Sequence, residues 1–244
     1  MSLLQNGLIS KLVFTEAWQG YATLIGFVVI SIIASYLLGS INSAIIFSKL
    51  LYKDDIRNHG SGNAGMTNML RTYGLGAAGL TLAGDVLKTA LSILICGLLL
   101  GFHYGKGVSL GDGFCYMAGL FAVVGHIFPI YYKFKGGKGV LATAATILIL
   151  APLPFAILIL VFLLIVAMSK FVSLGSVSAG VLLPVVMRAY IAVVYGTKGM
   201  PGILSICLIL LAILIVWCHR ENLKRISEGT ERKISIGGKK KKDE

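Results

Sequence analysis

The sequence predicts an all-α, polytopic integral membrane protein of about seven transmembrane helices. Composition is the first reason. Of 244 residues, 57% are hydrophobic and 13% charged, and the mean hydropathy is +0.87. A soluble domain is nearer half apolar and a quarter charged. The second reason is that apolar runs recur at the length of roughly 17–25 residues that a membrane span needs. The third is that basic residues collect in alternate connections between those runs.

Residues 1–20 carry one Lys and one Glu and no small-residue cleavage site. They are expected to form an N-terminal interfacial segment, not a removed signal peptide. Trp18 and Tyr21 suit an interfacial anchor. Spans are expected at about 21–39, 75–100, 114–132, 138–151, 153–169, 173–194 and 202–218, within one membrane domain covering 21–233. Pro152 and Pro154 divide the fourth and fifth, so two short helices fit better than one overlong helix. A single tilted helix or a re-entrant pair is the alternative. Residues 234–244 are expected to be a disordered, Lys-rich tail near anionic headgroups.

Charge sets the orientation. With the N-terminus outside, one face receives Lys49, Lys53, Arg57, Arg71, Lys133, Lys135, Lys138, Lys170 and every basic residue from Arg220 onward, seventeen of the twenty-two in the chain. The other face receives Lys11, Lys106, Arg188 and Lys198, while Lys88 lies inside a span. The positive-inside rule then places the C-terminus in the cytoplasm. This bias accounts for most of the net charge of +12, so no nucleic-acid partner is implied. Cys96, Cys115, Cys207 and Cys218 are scattered in apolar spans without C-x-x-C spacing and read as small hydrophobes. No His/Asp/Glu cluster has metal-ligand spacing, and no metal or cofactor is expected.

Three glycine-rich, basic segments emerge on the predicted cytoplasmic face. The first carries Gly60, Ser61, Gly62, Asn63, Gly65, Thr67, Asn68 and Arg71. Its glycines permit an anion-binding backbone nest, its hydroxyls can donate to phosphate oxygens, and Arg71 offers a bidentate fork. It lacks G-x-x-x-x-G-K-[ST], which disfavours a nucleotide P-loop. The second runs from Gly125-His126 through Lys135-Gly136-Gly137-Lys138-Gly139 and combines N–H groups at a helix start with a cation. His126, in the last turns of its span, reads first as a helix-packing histidine, with direct involvement at the site as the other reading. The third places His219 and Asn222 on one helical face, with Arg225 a turn further. Each segment also has a plainer reading: a flexible loop, a tight interhelical turn, an amphipathic post-membrane helix with snorkelling basic side chains.

Inside the second span, Asp85 and Lys88 stand at i, i+3. Intramembrane charges are costly and are usually paired or functional. A mutual ion pair facing the bundle interior is the economical reading, and a role in holding substrate is the other. Ser173 and Ser176 are either helix caps or phosphate ligands.

Together the segments resemble the PlsY family of bacterial acyl-phosphate:glycerol-3-phosphate acyltransferases. The G-S-G-N-x-G-A-T-N-x-x-R motif is met by Gly60 to Asn68 and Arg71, with Met66 in place of Ala. G-H-x-F-P…F-K-G-G-K-G-V is met by Gly125 to Pro129 and Phe134 to Val140, where Leu141-Ala142-Thr143 departs from the Ala-Thr that would directly follow. H-x-x-N-x-x-R-x-x-x-G-x-E is met by His219, Asn222, Arg225, Gly229 and Glu231. The resemblance implies transfer of a fatty acyl group from acyl phosphate to the 1-hydroxyl of sn-glycerol 3-phosphate at the cytoplasmic face of the bacterial inner membrane. Lysophosphatidic acid and phosphate would be the products. It implies that Ser61, Arg71, Lys138, His219 and Asn222 position the phosphorylated substrates, supported by the glycine loops and the Ser173–Ser176 turn.

Two routes for the hydroxyl proton stay open: the acyl phosphate's own phosphate, or His219 as general base. No histidine has the H-x-x-x-x-D arrangement, which argues against the acyl-CoA and acyl-carrier-protein glycerolipid acyltransferases. A transporter of organic phosphate would need more polar residues at mid-membrane, and no internal repeat is evident. A non-catalytic scaffold holding anionic lipid would not need three such motifs.

Overall fold

The computed structural model describes residues 6–12, 14–101, 110–196, 200 and 202–234. Lys106, Lys198 and the Lys-rich tail from residue 235 lie outside them. The described residues form α-helices and short 3-10 turns, with no strand among them. The long helices are α1 (Ala17–Ser40), α4 (Leu75–Leu100), α5 (Leu110–Ile127), α7 (Pro152–Ser169), α8 (Val172–Tyr195) and α9 (Gly202–Cys218). Shorter ones are α2 (Ser43–Tyr52), α3 (Met66–Tyr73), α6 (Val140–Leu150) and α10 (Arg220–Ser227).

An apolar helix stands at each of the seven expected positions, but they are unequal. Among the described residues, five segments are long and apolar enough to cross a membrane unaided, and α9 with α10 makes a sixth, bent by 49°. The expected span at 138–151 is the 11-residue α6, about 16 Å long and short of the ~30 Å hydrocarbon core. Pro152 opens α7 at a position where a missing N–H costs nothing, so the apolar stretch breaks into two helices. The first glycine-rich segment likewise contains a helix, α3, which sets Thr67, Asn68 and Arg71 on a helical scaffold.

Helix α5 sits at the centre, packed by α1, α4, α6 and α9, while α8 packs between α7 and α9. Small residues permit this approach, as they do wherever helices pack without a hydrophobic force between them. A Cβ on Gly39 would stand 2.2 Å from the Ala122 carbonyl oxygen, and one on Gly125 would stand 2.3 Å from that of Tyr36. Leu183, Met187, Leu204, Leu208 and Leu211 are fully enclosed. Large apolar side chains such as Ile30, Ile33, Leu160, Leu164, Val193 and Ile213 are exposed on the outer faces of α1, α7, α8 and α9. An apolar exterior of this extent is suited to lipid, not water. The four cysteines are free thiols.

Candidate active site

Asn68 organises the first glycine loop. Its amide nitrogen donates to the carbonyls of Ile56 (3.2 Å), His59 (2.9 Å) and Asn63 (3.1 Å), and its Oδ1 accepts from the Ser61 N–H at 3.1 Å. Gly60 adopts φ +59, where a Cβ would stand 2.2 Å from that same Oδ1. Glycine is therefore required there on both grounds. The Gly62 N–H donates to His59 O at 2.9 Å. What the loop presents is thus the Ser61 and Thr67 side chains and Arg71, whose guanidinium makes one contact, to the Arg232 carbonyl at 3.4 Å. Among the described residues, four of its five donors have no partner and remain for a ligand.

The second loop is anchored from below. The N–H groups of Gly136 and Gly137 donate to Ile127 O (3.2 Å) and His126 O (3.0 Å), the open carbonyls at the end of α5. These two N–H groups are therefore not free for an anion, contrary to the expectation for a Gly-Gly-Lys-Gly turn. The glycines serve close approach instead: a Cβ at Gly136 would lie 2.0 Å from His126 O, and one at Gly137 would lie 2.1 Å from His126 Nε2. The loop ends with Gly139 at φ +76, capping α6, and projects Lys138 inward.

Glu231 gathers the third segment. Its carboxylate accepts from Asn222 Nδ2 (2.6 Å), Ser173 Oγ (2.9 Å) and Arg225 Nε (2.8 Å). Asn222 Oδ1 in turn accepts from the Lys138 ammonium. One amide thus joins a cation in the loop before α6 to an anion beyond α10. Ser173 is not a helix cap, and the Ser176 hydroxyl bonds back to Val172 O at 2.9 Å.

His219 occupies the break between α9 and α10, buried at 4% exposure. Its Nδ1 lies 2.7 Å from Ile215 O. A carbonyl only accepts, so Nδ1 carries the hydrogen and Nε2 is left as an acceptor.

Electrostatics follow from burial. Burial pulls the Lys138 ammonium down to about 8 despite the opposing pull of Glu231. Burial, with Lys138 nearby, pulls His219 down to about 4. Burial pushes Glu231 up, but hydrogen bonds from Asn222, Arg225 and Ser173 outweigh it and hold the carboxyl below its ordinary range.

These groups share one cavity of about 800 Å³. Its wall carries Gly60, Ser61, Asn63, Thr67, Asn68, Arg71, Asp85, Lys138, Gly139, Ser173, Ser176, His219 and Asn222 among the expected residues. Gly62, Gly136, Gly137 and Lys88 are not on it. Lys88 is turned away: its three N–H groups meet Asp85 Oδ1 (2.8 Å), Ile41 O (2.9 Å) and His126 Nδ1 (2.9 Å). Below the polar rim the cavity becomes apolar, walled by Ile147, Phe155, Leu158, Phe162, Val166 and Leu183.

His126, Thr143, Arg225, Thr230 and Glu231 also line it; the sequence motifs include His126, Arg225 and Glu231 without assigning them to a substrate, and Thr143 and Thr230 are not singled out. For Glu231 a signal existed: it closes the H-x-x-N-x-x-R-x-x-x-G-x-E motif on the cation-rich face. No group of three or more potential metal-ligating side chains occurs among the described residues.

Comparison with known proteins agrees with this geometry. Residues 29–229 match a family described as glycerol-3-phosphate acyltransferase. The glycerol-3-phosphate acyltransferase of Syntrophomonas wolfei is 41% identical over 84% of this chain and 95% of its own. That of Bacillus subtilis is 40% identical over 83% and 95%. Among solved structures, PlsY (YgiH), an integral membrane glycerol 3-phosphate acyltransferase, superposes in its glycerol 3-phosphate form with TM-score 0.71. It is 31% identical and covers 85% of this chain and 96% of its own. Its lysophosphatidic acid form gives TM-score 0.70 at 30% identity.

Proposed function

The chain belongs to the glycerol-3-phosphate acyltransferase family of bacterial membrane enzymes, and from that premise we propose that its acyl donor is a fatty acyl phosphate. The acceptor is the 1-hydroxyl of sn-glycerol 3-phosphate, and the products are lysophosphatidic acid and inorganic phosphate. The observation that carries this reading is the cavity itself, with a cationic rim above an apolar well. Along α7 the apolar wall runs from Val166 to Phe155, eleven residues or about 16 Å. An extended chain advances ~1.2 Å per bond, so the well holds about 13 bonds of an acyl chain. Moving that chain from lipid into an apolar well gains little, so affinity for the donor comes from the rim.

Two phosphates meet at that rim. Arg71 is suited to grip one bidentately, and Lys138 to counter the other. Bringing the two anions together and aligning the hydroxyl can contribute about 7–11 kcal/mol. Ser61 and Thr67 add donors, while Asn222, Ser173 and Glu231 hold Lys138 in place.

An acyl phosphate is already activated, so no covalent acyl-enzyme is needed. The hydroxyl oxygen attacks the carbonyl carbon, the bond from that carbon to the bridging oxygen breaks, and phosphate leaves carrying the hydroxyl proton. His219, neutral and held down to about 4 by burial, is a weak base. A phosphate monoester, with a second pKa near 6, is the better one. His219 Nε2 is instead placed to accept the hydroxyl hydrogen bond and orient the nucleophile. His219→Gln tests this division. A loss of about 10²–10⁴ in kcat at unchanged KM would assign the base role to His219, whereas a raised KM for glycerol 3-phosphate is expected.

The positive-inside bias supports a site facing the cytoplasm of the inner membrane. The α6–α7 hairpin gives seven spans if it crosses fully and five if it dips and returns. The three motifs and the C-terminus share a side in either case.

A further inference from the structure

Two imidazoles border the cavity, and the reaction above uses one. His126, 3% exposed, ends α5 and lies against a buried ion pair on α4. Asp85 Oδ1 accepts from Lys88 at 2.8 Å and from Ser43 Oγ at 3.1 Å. Lys88 reaches His126 Nδ1 at 2.9 Å, while Asp85 Oδ1 lies 3.7 Å from that nitrogen, beyond a hydrogen bond. Lys88 donates to Nδ1, so the ring hydrogen sits on Nε2. Moving the proton from Lys88 to the ring changes nothing at Nε2, because an imidazolium carries hydrogen on both nitrogens. His126 is therefore fixed as an Nε2–H donor and His219 as an Nε2 acceptor.

The Nε2–H has no protein acceptor among the described residues, and it is not among their buried unpartnered atoms. It opens to the cavity, which His126 lines. It lies against Gly137, the residue before Lys138.

We propose that His126 is a catalytic residue that donates its Nε2–H to the carbonyl oxygen of the acyl donor and stabilises the negative charge developing there. The proposal rests on the acyl phosphate reading. A phosphate held by Lys138 and a chain lowered into the well put the carbonyl between them, beside Gly137. His126 transfers no proton; it holds a hydrogen bond that strengthens as the carbonyl carbon becomes tetrahedral. Asp85 and Lys88 act through it, as positioning residues that keep the ring in the donor form.

Two substitutions separate this from a packing role. His126→Asn keeps an acceptor near Nδ1 for Lys88 but removes the donor at Nε2. His126→Gln reaches the Nε2 position with an amide N–H but leaves Lys88 short of a partner. With purified protein, acyl phosphate and glycerol 3-phosphate, His126→Asn is expected to melt near the wild type and lose about 10²–10³ in kcat. His126→Gln is expected to melt lower yet keep the higher kcat of the two. The reverse order of activities would overturn the proposal.

A carbonyl-labelled, non-hydrolysable acyl phosphonate gives a direct readout. Its carbonyl infrared band should lie lower when bound to wild type than to His126→Asn, with its phosphorus resonance unmoved. A shift in the phosphorus signal alone would overturn the carbonyl assignment. Failure of the wild type itself to use acyl phosphate would instead remove the premise, an outcome visible before any variant is assayed.

Discussion

Glu231→Gln tests the idea that the third segment is held by one carboxylate. The Glu231 side chain is 7% exposed and accepts three hydrogen bonds. Glutamine offers one oxygen. If that oxygen faces Asn222 and Ser173, two bonds to a charged acceptor become neutral ones and an NH₂ confronts Arg225 Nε. Charged hydrogen bonds contribute about 1.5–3 kcal/mol and neutral ones about 0.5–1.5 kcal/mol. Arg225 is 40% exposed, so its share is discounted for screening. The net loss is about 2–3 kcal/mol, or roughly 4–12 °C in Tm at about 2–4 °C per kcal/mol.

The opposite amide orientation sets two NH₂ groups face to face and turns Asn222 away from Lys138, so KM for glycerol 3-phosphate should also rise, by about tenfold. Differential scanning fluorimetry in detergent and initial rates would measure both. Because the folded Glu231 pKa is depressed, its stabilisation is present above the ordinary carboxylate pKa near 4.3 and is lost as pH falls below it. The variant should therefore show a flatter acid limb of Tm against pH. A variant with wild-type Tm and KM would refute the reasoning.

Three further outcomes are expected. Gly137→Ala should lower Tm and activity, because its Cβ would stand 2.1 Å from His126 Nε2 and 2.7 Å from the Ala64 carbonyl oxygen. Gly79→Ala, with nothing within 4 Å, should leave both unchanged. On pH, only the charged form of Lys138 counters phosphate. With its pKa drawn down to about 8, kcat/KM should fall tenfold per unit above that pH, and Lys138→Arg should move the limb out of range. Arg71→Lys should raise KM for glycerol 3-phosphate about tenfold, since an ammonium cannot grip phosphate bidentately.

The bundle was legible in the sequence because lipid imposes a rule that composition displays: apolar runs of fixed length, interrupted by cationic turns. The motif residues were legible too, since Gly, Ser, Asn, Lys and Arg at close spacing have few other uses at an interface. Individual assignments within the motifs were not. Asn68 reads as a ligand in sequence, yet its amide is spent tying four backbone groups of its own loop. Gly136 and Gly137 read as an anion nest and prove to be spacers over the end of α5. Lys88 forms the ion pair with Asp85 that the i, i+3 spacing suggests, but its further partners, Ile41 O and His126 Nδ1, are not visible in sequence. Contacts between residues as distant as Lys138 and Asn222, or Lys88 and His126, leave no periodicity in a single chain. The break at Pro152 was legible, and two helices do flank it; that the first is too short to cross the hydrocarbon core was not, because an apolar run does not show where its helix begins.

The most direct test of the central claim offers the purified protein glycerol 3-phosphate with palmitoyl phosphate or with palmitoyl-CoA, and follows lysophosphatidic acid and released phosphate. The account predicts turnover with palmitoyl phosphate alone, abolished by Arg71→Ala and by Lys138→Ala. Turnover with the CoA ester, or turnover that survives both substitutions, would contradict it.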